Sequence, residues 1–327
     1  MSDLSQSAHR RYAIFALILI AILALGSCND NGNSDAADVN VHSPADYPGG
    51  DVLVSVEWLA TNIDDDNLRL LDLSPVRSFR AGHIPGAVHV WWQDTIEIHN
   101  EVYGMLAGGD IRADLVAEAG VREGDFVVVY DDAGGRYAAR FLWMLHAIGF
   151  DDVAMLNGGR QAWEQAGFNL SSERSDPPEG TLDQTLEYGV LIGADDVEQM
   201  LGDPDTVIVD GRTKDEREET WYGQLRRGAI PGAFSLTWES TLAGGEVPFF
   251  RSADELTEML PDDFEPGSDR PIIVYGLHGP AAAHTYVTLR LLGFENVRLY
   301  DGSWAEWGAD PVRPIMPLDE LIAEEAT

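Results

Sequence analysis

The chain repeats itself. Gly82-His83-Ile84-Pro85-Gly86-Ala87 returns as Gly228-Ala229-Ile230-Pro231-Gly232-Ala233, an offset of 146 residues. Val128-Val129-Tyr130 returns as Ile273-Val274-Tyr275 at an offset of 145. Gly149-Phe150 returns as Gly293-Phe294, and Gly158 with Trp163 returns as Gly302 with Trp307, both at 144. Landmarks kept in order at nearly constant spacing mean internal duplication. The period far exceeds that of a solenoid repeat, so each copy is a whole domain. Any fold for this chain is a fold used twice.

Within each copy, strand and helix patterns alternate. Phe126–Tyr130 is a short continuous apolar run, as expected of a buried parallel strand. Helical spacing follows from Arg136 to Ile148, carried by Ala139, Leu142, Trp143, Leu145 and His146. Val153–Leu156 predicts the next strand, ended by Asn157-Gly158-Gly159, and Gln161-Ala162-Trp163 opens another helix. The second copy predicts strand Pro271–Tyr275, helix Ala281–Leu292, strand Val297–Tyr300 and a turn at Asp301-Gly302. Leu70-Leu71-Asp72-Leu73 and Val207-Ile208-Val209-Asp210 read as earlier strands. The expected class is α/β, with a mainly parallel sheet flanked by helices in each domain. Trp91, Trp92, Trp163, Trp304 and Trp307 are expected in the core or between domains.

The N-terminus reads differently. Arg10-Arg11 precede a charge-free apolar run, Ala13–Leu25, and Leu25-Gly26-Ser27-Cys28 follows. This has the shape of a secretory signal. The run is shorter than the roughly 18–20 apolar residues a spanning helix needs. Leu25-Gly26-Ser27-Cys28 resembles a bacterial lipobox, which implies lipidation of Cys28 and a membrane anchor outside the cytoplasm. Plain secretion and an uncleaved anchor are the alternatives. The polar stretch after Cys28 is expected to be a flexible tether. The expected organisation is a signal at 1–27, a tether at 28–47, a first domain at 48–170, a polar linker at 171–186, a second domain at 187–316 and an acidic tail at 317–327.

Charge and cysteine usage narrow the chemistry. The chain carries 56 acidic and 21 basic residues, a formal charge of −35. Such a surface repels nucleic acid and suits a salty or extracellular medium. Cys28 is the only cysteine, so no cysteine zinc site or dithiol pair can form. Neither a metal nor a cofactor is expected.

Over nearly all of residues 50–315 the chain resembles the tandem rhodanese-like sulfurtransferases. The resemblance rests on Gly82–Ala87, Asp131-Asp132 with Ala138-Ala139-Arg140, Leu156-Asn157-Gly158-Gly159, and Tyr300-Asp301-Gly302-Ser303-Trp304-Ala305-Glu306-Trp307. It implies two tandem rhodanese-like domains, the first inactive and the second holding the active loop. In that family a loop cysteine takes sulfur from a donor such as thiosulfate, holds it as a persulfide and passes it to an acceptor such as cyanide. A helix N-terminus and converging N–H groups stabilise the thiolate.

In this chain Gly276 stands where the family has cysteine. Gly279 keeps the loop's glycine, and Ala282-Ala283-His284-Thr285 keeps the following helix. Pro280 removes one N–H and suits a first helical turn. Asp131 occupies the matching position of the first copy, so both halves lack the nucleophile. The candidate loop and anion-binding residues are Gly276, Leu277, His278, Gly279, Pro280, Ala281, Arg212, Arg217 and Arg227. His278 is expected to face solvent, with proton relay or ligand binding as its alternative. His284 is expected to be packed. Asp210-Gly211-Arg212 is expected to build the fold through a carboxylate–guanidinium contact. Arg217 lies one residue from the place where some family members hold the anionic substrate. Arg226, Arg227 and Arg251 are candidates to line the domain cleft.

Three readings follow. The first is a rhodanese-fold lipoprotein that has lost sulfur transfer and serves as a binding or accessory protein, with an extracytoplasmic protein as its partner. The second is residual thiosulfate:acceptor transfer by a route without cysteine. The third is passive binding of a small sulfur anion.

Overall fold

The computed structural model describes residues 43–182, 189–218 and 226–321. The expected signal, Cys28 and most of the expected tether lie outside the described residues. The first half contains strands β1 (Leu53–Val54), β2 (Leu68–Asp72), β3 (Val88–His89), β4 (Ile96–His99), β5 (Val102–Leu106), β6 (Phe126–Tyr130) and β7 (Val153–Leu156). Its helices are α1 (Val56–Asn62), α2 (Val76–Ala81), α3 (Gly109–Glu118), α4 (Arg136–Ala147) and α5 (Gly159–Gln165). The second half contains β8 (Leu191–Ile192), β9 (Val207–Asp210), β10 (Ala233–Ser235), β11 (Ile272–Tyr275) and β12 (Val297–Tyr300). Its helices are α6 (Ala194–Gln199), α7 (Lys214–Glu218), α8 (Ala253–Glu258), α9 (Gly279–Leu291) and α10 (Ser303–Trp307).

The two sheets have one topology. The first runs β1-β7-β6-β2-β3 and the second β8-β12-β11-β9-β10, with every neighbouring pair parallel. The register agrees as well: Asp72 sits opposite Tyr130, and Asp210 sits opposite Tyr275. The central strands are fully buried β-branched runs, Val127-Val128-Val129 and Ile272-Ile273-Val274. That composition suits a parallel strand covered on both faces.

Helices α4 and α9 are buried on almost every side. A helix apolar all round belongs inside, and these two pack against each other. His146 Nδ1 meets the Tyr286 hydroxyl at 2.8 Å across that contact. One core cluster joins Val129, Leu142 and Leu145 of the first half to Val209, Tyr286 and Leu289 of the second. Each such side chain contributes about 1.5–3 kcal/mol on burial, so neither half has a complete core of its own.

Each half also sends an arm across the other. Strands β4 and β5 form an antiparallel hairpin turning at Asn100 and Glu101, both at positive φ (50° and 69°). Leu106 N–H donates to the Asp301 carboxylate, and Gly104 O accepts from Arg140 Nη2 at 3.1 Å. The counterpart arm is joined by a bridge between Leu242 and Phe250, and Phe250 N–H donates to Asn157 Oδ1 at 3.1 Å. Leu106 matches Phe250, and Asp301 matches Asn157, at the same 144-residue offset. The duplication thus includes the way the halves grip each other.

The described parts of the connecting segments are held by specific contacts. Tyr47, read as tether, is buried and donates its hydroxyl to Arg251 O at 2.7 Å. Gly49 N–H donates to Leu291 O at 2.9 Å, so this entry segment lies on the second half. The linker pairs with the first half instead, through Ser171 on His83 and Thr181 on Arg122. Among the described residues no helix is long and apolar enough to cross a membrane.

Candidate functional site

The repeated Gly-x-Ile-Pro-Gly-Ala motif holds the strand end from which each candidate loop springs. Ile230 N–H donates to the Tyr275 hydroxyl at 3.2 Å, and that hydroxyl donates to Asp210 at 2.7 Å. In the first half Ile84 N–H donates to the Tyr130 hydroxyl at 3.0 Å. Arg212 completes the second-half lock. It donates to Asp210 Oδ2 at 2.6 Å and to Gly228 O at 2.8 Å, and lies 4.3 Å from the Trp304 ring. The expected carboxylate–guanidinium contact is present. It also withdraws Arg212 from any anion site, because the side chain is sealed in the core.

The loop itself is strapped to the start of α10. Gly276 N–H donates to Ser303 Oγ at 3.2 Å, Gly276 O accepts from Trp304 N–H at 3.0 Å, and Leu277 O accepts from Ala305 N–H at 2.9 Å. A Cβ on Gly276 would point into the N-terminus of α9. It would lie 2.9 Å from Ala282 N, which requires a backbone shift, and 3.1 Å from His278 O, a tight contact. A side chain here would need the loop backbone to shift slightly.

The first-half loop shows the same geometry filled. Asp131 accepts from the N–H groups of Ala133 (2.8 Å), Gly135 (2.8 Å), Tyr137 (2.7 Å) and Ala138 (3.0 Å). Burial pushes the Asp131 carboxyl up from the usual range, and the four N–H groups pull it down. The Asp131 side chain is therefore the occupant of this cradle. Pro248 and Phe250 of the opposite arm help close it, leaving about 10 Å³.

His278 is only partly exposed, where the sequence predicts a solvent-facing loop histidine. The β5 arm lies on it: a Cβ on Gly104 would meet His278 Cβ at 2.9 Å, and the Tyr103 ring meets the imidazole edge-on at 5.7 Å. Gly104 has φ 89°, so glycine is needed there for both reasons. Burial, then the charges of Arg136 and Arg140, lower the His278 pKa to about 4. Its Nδ1 is buried and has no hydrogen-bond partner among the described residues. His284 is packed as expected, with Nε2 3.1 Å from Gly134 O and its ring stacked on Phe250 at 5.1 Å. Burial lowers its pKa to about 4.

The arginines proposed from the sequence do not converge on the loop. Arg217 braces backbone and hydroxyl, reaching Arg212 O at 2.6 Å and Ser235 Oγ at 2.7 Å. Arg226 caps the carbonyls of Trp307, Gly308 and Arg313, Arg251 holds Ser240 O and Glu255, and Arg227 is exposed. Leu277 packs in the second-half core, while Pro280 and Ala281 are buried in the first turn of α9.

The cations that reach the loop come from the other half. The Arg140–Asp301 ion pair, 2.6 Å, passes so close to Gly279 that a Cβ there would collide with both partners. Gly279 is a close-approach glycine. Arg140 was visible in the sequence only as part of a motif, because its partners lie on an arm and on the second half. Trp163, Trp304 and Trp307 are buried, and half-buried Trp92 stacks on Tyr137 at 4.3 Å. Among the described residues no group of three or more metal-ligating side chains is gathered.

The sequence matches the Rhodanese-like domain model over residues 55–166 and 193–310. Thiosulfate sulfurtransferase of Corynebacterium glutamicum is 33% identical, over 80% of this chain and 89% of that protein. 3-Mercaptopyruvate sulfurtransferase of Escherichia coli K12 is 31% identical, over 81% of this chain and 98% of that protein. The crystal structure of SseA from Escherichia coli, a 3-mercaptopyruvate sulfotransferase, superposes with a TM-score of 0.67 at 28% identity, covering 77% of this chain and 98% of that one. The anaerobic ergothioneine biosynthesis enzyme of Chlorobium limicola superposes with a TM-score of 0.69 at 23% identity, over 82% of this chain and 71% of that one, a likeness of fold alone.

Proposed function

This chain belongs to the rhodanese-like domain family, and from that premise we propose that it is a member that no longer forms a persulfide and acts as a binding or accessory protein. The carrying observation is the loop at Gly276: no side chain is present, and one placed there would need the backbone to shift. Sulfur transfer through a persulfide needs a thiolate to form an S–S bond while sulfite leaves with the bonding electron pair. Cys28, the sole thiol, lies far away in sequence, within the lipobox-like segment. In this reading it carries lipid and tethers the protein outside the cytoplasm.

The test is an assay of the full-length chain with thiosulfate and with 3-mercaptopyruvate as donors and cyanide as acceptor. Thiocyanate at the blank level is expected. Cys28→Ser is expected to move the protein from the membrane to the soluble fraction; unchanged membrane association would contradict the lipid anchor. One observation favours a second reading, cysteine-independent transfer: the buried Nδ1 of His278 beside the loop, without a partner among the described residues. Thiocyanate above the blank, abolished by His278→Ala, would establish that route instead.

A further inference from the structure

A cleft of about 880 Å³ opens between the β4–β5 arm and the carboxyl ends of β8 and β12. Its volume falls within the range of small-molecule sites, roughly 300–1,000 Å³, and carboxyl ends of parallel strands are where open α/β sheets hold ligands. It is separate from the Gly276 loop. Asp301 forms part of the wall between them, facing the cleft while its carboxylate holds Arg140 over Gly279.

The cleft is lined by charges of both signs. Arg112 and Arg298, one from each half, both line the cleft and form no ion pair among the described residues. Arg112 is only 6% exposed, donates Nη1 to Ala107 O and leaves Nε without a partner. Arg298 donates Nη2 to Met200 Sδ at 3.3 Å and also leaves Nε without a partner. Buried donors left unmade are costly, which makes them informative.

Two carboxylates share the cleft and are equally uncommitted. Glu97 is near enough to Arg112 to favour its charge but forms no ion pair, and Asp196 lies in the first turn of α6, exposed. The other acids are engaged: Asp301 with Arg140, and Glu306 with the Tyr300 hydroxyl at 2.8 Å. A simple anion would be repelled by the free carboxylates, and a simple cation by the guanidiniums. A ligand carrying both signs satisfies both sets. Leu191 and Ile192 supply an apolar wall.

We propose that this cleft binds a small zwitterion with an apolar side chain, an α-amino acid or a short peptide, its carboxylate toward Arg112 and Arg298 and its ammonium toward Glu97 and Asp196. The proposal gives content to the binding-protein reading and stands apart from it experimentally. A failed titration leaves the cysteine-less loop untouched, and thiocyanate formation leaves the cleft untouched.

The test is calorimetric titration of the full-length chain in detergent with L-leucine and with glycyl-leucine. 4-Methylpentanoate and isopentylamine serve as controls that keep one charge each. Saturable heat is expected with at least one zwitterion and with neither control; which zwitterion binds separates amino acid from peptide. Arg298→Gln and Asp196→Asn avoid the more buried Arg112, and each is expected to weaken binding about tenfold or more. The proposal is overturned if neither zwitterion binds, if 4-methylpentanoate binds as well as leucine, or if both variants, folded by their melting curves, bind like the parent.

Discussion

At the scale of single residues, the two copies answer one problem in two ways. Asp131 fills its cradle with a carboxyl group held by four backbone N–H groups, whereas Gly276 puts no side chain into its own. This predicts that Gly276→Cys will not restore sulfur transfer. A Cβ 2.9 Å from Ala282 N must displace backbone, a strain on the order of 1–3 kcal/mol. A lowered melting temperature with thiocyanate at the blank level is expected. Parent-like stability together with activity would show that the loop opens freely. Gly276 and Gly279 were legible in the sequence because each sits in a recognisable motif. The surroundings of His278 were not, because the group that covers it, β5, lies more than 170 residues earlier and carries no pattern that names its target.

At the scale of elements, strands with continuous β-branched runs and the two central helices were legible, and their ends moved by only a residue or two. The crossing arms were not. Residues 96–106 have neither helical spacing nor strict alternation, and their turn depends on two non-glycine residues at positive φ, Asn100 and Glu101. The contact between α4 and α9 yields a prediction about acid. Burial, aided by Arg290, lowers the pKa of His146 to about 3. Its folded pKa is then below the unfolded value of about 6.5, so the unfolded chain binds the extra proton. The stability it confers is complete above pH 6.5 and is lost as pH falls toward 3. Buried carboxyls such as Asp72 and Asp131, with raised pKa values, act in the opposite sense, so the histidine is isolated by substitution. Between pH 6.5 and 5 the parent should lose about 2 kcal/mol more than His146→Gln. Identical acid slopes in denaturant titrations of the two proteins would refute this.

At the scale of the whole molecule, duplication made two domains, but a shared core and reciprocal arms made them one unit. The described residues form a single compact body, with Leu142 and Tyr286 in the same cluster. Calorimetry should therefore show one cooperative transition rather than two; two well-separated transitions would mean that the halves melt independently. The same architecture frames the functional account. The family's scaffold is present twice over, while neither loop carries a cysteine. The most direct test is to incubate the full-length chain with thiosulfate, remove the excess and measure protein-bound sulfur that cyanide releases. No releasable sulfur above that of a heat-unfolded control is predicted. Releasable sulfur approaching one atom per chain would contradict the account.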